Sequence, residues 1–361
     1  MTRICQKTVR LMPQGKTFTD FDNAQHERDI RMFKGITFGY YAKNGYFSSP
    51  KAREEVDHIA ELGIPWICLV STIMQDAYYS TRMYRDFRNT PSDDELIEII
   101  RYIHSKGIKV MLRPMIECWD GTQRYLLTLP QGEIQPGMAY HYGDDWFQNY
   151  ADAIRHYLRV ANQTGCEAFG FDSELNNLVP FTENWMTIIE LARKIYKGHL
   201  TTSLINAEQY IKRLENKNFW FYSLDSVGTS FYYPATEDGS GTVEEMIAHL
   251  RPHAEKMKCF AEKLGTCFYM GECGCCSVEN ATCKPAYWKN GKYYDGQQQA
   301  DYLSAVLHLF EEHAWWGGMF WWKWDQQTFR PDFLDDPAGD KGFTIYGKPA
   351  AEVMRKWCKE R

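Results

Sequence analysis

Two glutamates stand where short apolar runs end. Glu174 closes CEAFGFDSE and Glu272 closes TCFYMGE. Two carboxyl groups held roughly 5 Å apart can break a glycosidic bond with retention: one attacks the anomeric carbon and the other protonates the leaving oxygen. The acid must keep its proton near neutral pH, and burial beside a second carboxylate supplies that. One such glutamate alone more often makes a salt bridge or caps a helix. Two of them beside Tyr and Trp point to chemistry.

The other strand ends add polar and aromatic groups. They offer Tyr40 and Tyr41, then Ser71 and Gln75, then Arg113, Glu117, Trp119 and Asp120. Further on come Asp172, Ser173 and Asn176, then Asn206, then Tyr232 and Tyr233, and finally Trp321, Trp322, Trp324 and Asp325. Arg113 has two readings: a guanidinium that holds the nucleophile ionised, or an interior ion pair with Asp172 or Glu117. Neighbouring strand residues face opposite sides, so one of Trp321 and Trp322 is expected in the site and the other against a helix. Trp119 and Trp288 fall in loops, where they either stack on sugar or cover the core. Cys273, Cys275, Cys276 and Cys283 could bind a structural metal, but their C-x-C-C-x6-C spacing is not that of a zinc site, and buried free thiols are the expectation. The histidines show no metal-binding spacing, so neither a catalytic metal nor a cofactor is expected.

What positions these groups is a repeated junction of amphipathic stretch, glycine and apolar run. Gly63, Gly107, Gly165, Gly198 and Gly265 each precede such a run. Glycine is favoured just past a helix, and a continuous apolar run reads as a buried parallel strand. Ser92 with Glu95 and Thr242 with Glu245 have capping-box spacing, and Ser49–Pro50 is a cap with proline at the first helical position. Leu96, Ile99, Ile100 and Ile103 form one apolar face, and another helix is expected over about 145–162. Eight strands are expected at 35–42, 66–73, 109–116, 168–174, 200–206, 226–233, 266–272 and 317–324. That count fits an α/β fold of the (β/α)8 barrel type, whose functional groups gather where strands end. An open doubly wound sheet would carry a glycine-rich phosphate loop after the first strand, and none is present. The expected organisation is an irregular arm over 1–33, lying across the barrel bottom, and one catalytic barrel over 34–361.

The bulk composition agrees. Among 361 residues, 15 % are aromatic, with 12 Trp and 23 Tyr, more than a core alone needs and suited to sugar faces. A net charge of −6 leaves no basic footprint for nucleic acid, and no apolar run is long enough to span a membrane. Eleven cysteines, an odd number, suit reduced thiols, and the N-terminal stretch lacks an apolar signal core. A cytoplasmic location and short imported oligosaccharides as substrate are the expectation.

The chain resembles glycoside hydrolase family 113, whose characterised members are mainly β-1,4-mannanases. The resemblance is carried by KGITFGYYA, VMLRPMIECWDGTQR, FGFDSELNNL, YMGECGCCS, GGMFWWKWD and YGKPAAEVMRKW, from about residue 34 to 358. It implies that Glu174 is the acid/base, Glu272 the nucleophile, Tyr232 or Tyr233 the hydroxyl that bonds the nucleophile, and Trp321, ahead of Trp322, the platform under the sugar. Much of the wider clan has Asn just before the acid, contacting the sugar 2-hydroxyl; Ser173 stands there in this chain. The expected substrate is β-1,4-linked mannan or manno-oligosaccharide. The alternatives are another β-linked oligosaccharide, a glucan or an amino-sugar chain, or a carbohydrate-binding barrel without catalysis. A dead barrel usually loses one carboxylate, and both are present. A metal-dependent barrel would need His and Asp at several strand ends.

Overall fold

Local signals fix the helix ends. Ser92 Oγ accepts from Glu95 N at 3.3 Å, and the Glu95 carboxylate accepts from Ser92 N in return. Thr242 and Glu245 repeat this reciprocal pair. Each pair satisfies two backbone donors that a bare helix start leaves without partners. Gly165 and Gly265 end their helices with φ of 74° and 72°, a conformation that costs a side-chain-bearing residue a Cβ clash.

The computed structural model describes residues 32–130, 133–135, 138–139, 141–287, 293–325, 336 and 339–359. Eight strands alternate with helices: β1 (Phe33–Phe38), β2 (Trp66–Gln75), β3 (Lys109–Cys118), β4 (Ala168–Gly170), β5 (His199–Ile205), β6 (Ser226–Phe231), β7 (Cys267–Cys273) and β8 (Trp316–Trp324). All eight pair in parallel with their barrel neighbours, a short strand Met83–Tyr84 adds antiparallel to the end of β2, and β8 returns to β1 with Gly35 opposite Phe320 and Ile36 opposite Trp321. The sheet is therefore a closed (β/α)8 barrel. The outer layer holds α1 (Pro50–Glu61), α2 (Asp93–Ser105), α3 (Tyr142–Thr164), α4 (Thr182–Ile195), α5 (Val243–Leu264), α6 (Gly296–Phe310) and α7 (Pro349–Lys359). Between β5 and β6 two 3-10 helices, Ala207–Glu215 and Trp220–Ser223, replace an α-helix.

The apolar stripes read from the sequence face the barrel. Leu96, Ile99, Ile100 and Ile103 are buried on α2, as are Phe147, Tyr150, Ile154, Tyr157 and Leu158 on α3. Inside the barrel, Phe33, Trp66, Cys68, Met111, Ala168, Tyr269 and Phe320 form a separate cluster that plugs its lower half. Phe33 thus belongs to the barrel, while residues 1–31 of the expected arm, and Trp288, lie outside the described residues.

Three details differ from expectation. β4 stops at Gly170 and does not run to 174, because the chain leaves the ladder: Asp172 accepts a hydrogen bond from Thr202 Oγ1, and Glu174 N reaches Ser203 O at 2.9 Å with φ 65°. β1 ends at Phe38, where Gly39 turns with φ 89°. Gly198 is not a left-handed cap. α4 ends in extended backbone at Tyr196, and Gly198 is small because any side chain would overlap the Tyr196 ring.

Candidate active site

The two glutamates reach the barrel mouth by different routes. Glu272 follows Gly271 on β7, where an added Cβ would overlap the Ser203 hydroxyl of β5, so Ser203 can sit there only with glycine at 271. Glu174 follows the irregular end of β4. Three of the four non-glycine residues with positive φ among the described residues are Tyr41, Glu174 and Asn206, with φ of 57°, 65° and 47°. All three line one cavity of about 830 Å³ at the C-terminal mouth. Backbone held in a sparsely populated region clusters at functional sites, and here the clustering singles out this rim.

Each carboxylate is held from several sides. Ser173 Oγ donates to Glu272 Oε1 at 2.6 Å, and Tyr232 OH donates to Glu272 Oε2 at 3.1 Å. Ser230 Oγ donates to Glu174 Oε1 at 2.8 Å. Arg124 joins the pair: its Nη2 lies 3.2 Å from Glu174 Oε2 and 3.5 Å from Glu272 Oε1. Its Nη1 lies 2.5 Å from Glu117 Oε1, which also accepts from Tyr40 OH at 2.9 Å. Burial, and then the Glu272 charge, push the Glu174 carboxyl up to about 7, with Arg124 opposing the rise. Burial and then Glu272 also hold the Tyr232 hydroxyl protonated, well above the usual range. One acid that keeps its proton near neutrality beside a second carboxylate is the division of labour that glycoside cleavage requires.

The model of glycoside hydrolase family 113 matches residues 36–348. The chain belongs to glycoside hydrolase family 113. It is similar to the solved family 113 β-mannanase AaManA from Alicyclobacillus acidocaldarius, in complex with ManMIm, with TM-score 0.77 and 25% identity over 91% of this chain and 97% of that one. A second family 113 β-1,4-mannanase structure gives TM-score 0.76 and 27% identity over 91% of this chain and 99% of the other. The likeness to fungal β-1,4-galactanases, at 13% identity and TM-score 0.54, is one of fold alone. No curated protein sequence matches.

Within this family 113 hydrolase the residues singled out from sequence separate into two groups. Tyr40, Asn206, Tyr232 and Tyr233 line the cavity with Glu174 and Glu272, and Ser173 lies behind Glu272. Tyr233 donates to Glu208 and stacks on His253, so Tyr232 is the tyrosine that reaches the β7 glutamate. Trp321 was the expected platform, but it is wholly buried in the outer layer and its Nε1 donates to Phe343 O at 3.1 Å. Trp322 is the member of the pair that lines the cavity, edge-on to Tyr40 at 4.9 Å between ring centroids. Strand alternation allows one of the two in the site, and the β1–β8 register, with Ile36 opposite Trp321, decides which.

Arg113 makes neither expected ion pair, although its charge acts on Asp172 and Glu272 through space. It lies fully buried beneath the mouth, where Nη1 donates to Gly271 O at 3.0 Å and Nη2 to Tyr269 OH at 3.3 Å. It makes no ion pair among the described residues, with Asp172, Glu117 or either of the two mouth glutamates. It props the β7 backbone one residue before Glu272. Trp119 is half exposed outside the cavity, under the Arg88 guanidinium at 5.9 Å. Cys273, Cys275 and Cys276 are buried, and no described group of three His, Cys, Asp or Glu side chains gathers to hold a metal. No helix among the described residues is long and apolar enough to cross a membrane.

Sequence reasoning missed Arg124, Ser230 and the cavity-lining Lys323, which pairs with Asp325 at 2.7 Å. The Arg124 signal was a cation inside WDGTQRY, six residues past the end of β3. By composition it is indistinguishable from a solvated loop arginine. Only the return of that loop over the mouth makes it a site residue.

Proposed function

We propose that this hydrolase cuts β-1,4 linkages in manno-oligosaccharides with retention, through a glycosyl-enzyme on Glu272, with Glu174 as acid/base. The observation that carries the mechanism is the shared Arg124 nitrogen. Two carboxylate oxygens that both approach one nitrogen at 3.2 and 3.5 Å cannot be further apart than those distances together. That bound accommodates the roughly 5 Å gap of a retaining pair and lies below most of the wider range of an inverting pair.

On this reading each group has a role. Glu272, aimed by Ser173 and Tyr232, attacks the anomeric carbon while the glycosidic bond breaks. Glu174 gives its proton to the leaving oxygen. Glu174, now ionised, then takes a proton from the water that attacks the same carbon and releases Glu272. Trp322 offers a flat apolar face to the sugar at the cleavage point. The mannan reading rests on the β-mannanases of the same family at 25–27% identity.

The test is hydrolysis of a panel of β-linked manno-, gluco- and chito-oligosaccharides, with the anomer of the first product followed by NMR. Manno-oligosaccharides should be the best substrates, and the first-formed product should be the β-anomer. An α-anomer would sink the retaining mechanism. Preference for another sugar would sink the substrate.

A further inference from the structure

The guanidinium of Arg124 is the most heavily shared cation at the mouth. It comes from the loop after β3, not from a strand, yet it is 8 % exposed. Its Nε donates to Ser173 O at 3.1 Å, Nη1 meets Glu117, and Nη2 meets both Glu174 and Glu272. Three carboxylates and one backbone carbonyl therefore use one planar fork, a geometry that Arg provides and Lys does not. Glu117 and the Tyr40 hydroxyl hold the far side of the fork, and the Tyr40 ring lies 5.9 Å from the guanidinium carbon.

We propose that Arg124 is a positioning residue that fixes the separation of Glu174 and Glu272 and sets the pH above which Glu174 stops acting as an acid. This rests on Glu174 being the acid/base. The charged and titratable groups facing Glu174 are Arg124 and Glu117 from β3 and its loop, Glu272 from β7 and Tyr232 from the end of β6. Glu272 and Glu117 favour the protonated acid, and the Arg124 charge, helped by the Ser230 hydrogen bond, opposes them. The reaction changes this balance. When Glu272 becomes an ester it loses its charge, while Arg124 keeps its own. The cation then favours the ionised Glu174 needed to activate water. One fixed guanidinium thus serves both halves of the cycle.

The experiment is the pH profile of kcat/KM for the full chain, its R124M and R124K variants and E174Q, with Tm measured for each. An aryl glycoside with a moderately poor leaving group still needs the acid, so the native limb is visible, and it keeps residual E174Q turnover measurable. R124M should move the alkaline limb to higher pH by about 1–3 units, the usual effect of a neighbouring opposite charge. R124K should leave that limb near its native position and lower kcat, because it keeps the charge and loses the fork. If R124M leaves the limb in place, or if R124K and R124M move it alike, the inference fails. If R124M does not fold, E117Q replaces it. Removing Glu117 takes away a repelling charge and leaves Arg124 shared by fewer anions, so the limb should move to lower pH; an unmoved limb overturns the proposal. E174Q separates the two failures. A limb that persists in E174Q overturns the acid assignment itself. A limb lost in E174Q but unmoved in R124M overturns the role of Arg124 alone.

Discussion

At the scale of single residues, Glu174 carries a cost that the fold bears for its chemistry. An unfolded glutamate releases its proton near pH 4.3, whereas burial and the Glu272 charge lift the folded group to about 7. Between those values the native chain holds a proton that the unfolded chain has released. Stability contributed by this group therefore falls as pH rises through that window, and the loss is complete above about pH 7. Glu174→Gln removes the ionisation. It should make the protein more stable than the native chain by about 1–3 kcal/mol at pH 8.5 and confer little advantage at pH 4.5. Urea unfolding at both pH values checks this, and an equal effect at the two would contradict the raised proton affinity. The two glutamates were legible from sequence because each closes a short apolar run that reads as a buried strand, although β4 itself stops at Gly170. Arg124 was not, since its partners arrive from residues 117, 174 and 272 and no local pattern announces that meeting.

At the scale of elements, alternation along β8 set the question and register answered it. The sequence shows two adjacent tryptophans, and pleating sends one inward. Which one depends on pairing with β1 and β7, where Trp321 faces Ile36 and Cys273. Trp321→Ala should destabilise the fold by roughly 3–5 kcal/mol, the cost of a large cavity in a packed layer. Trp322→Ala should change Tm far less and lower kcat/KM, because stacking under a distorted ring counts most in the transition state. Paired melting and kinetic measurements decide it; a reversal would place Trp321 at the sugar. Caps and apolar stripes were readable for the same reason that strand ends were not. A capping box is complete within four residues, as at Ser92 and Thr242, whereas β4 ends where Asp172 finds Thr202 on another strand.

At the scale of the whole molecule, a closed barrel with one mouth cavity of about 830 Å³ suits a ligand of a few sugar rings. Soluble manno-oligosaccharides should therefore be cut with higher kcat/KM than insoluble mannan, as reducing-end release from matched masses of each would measure. Faster attack on the polymer would mean that binding extends well past the cavity. The barrel itself was legible because eight apolar runs separated by helix signals leave few other closures. The arm expected over 1–33 rests on polar, irregular composition alone, and residues 1–31 of it lie outside the described residues.

The mouth also holds its charges in short-range contacts. Arg124 answers Glu117, Glu174 and Glu272, and Lys323 answers Asp325 at 2.7 Å. Mobile ions screen exposed, distant charges well and buried pairs poorly. A neutral oligosaccharide gains nothing from long-range attraction on its way in. Catalysis should accordingly be nearly indifferent to ionic strength. From dilute buffer to about half-molar sodium chloride, where the screening length shrinks to a few ångströms, kcat/KM at fixed pH should stay within about twofold. A steep fall on adding salt would show that an unshielded field, absent from this arrangement of paired charges, guides the substrate.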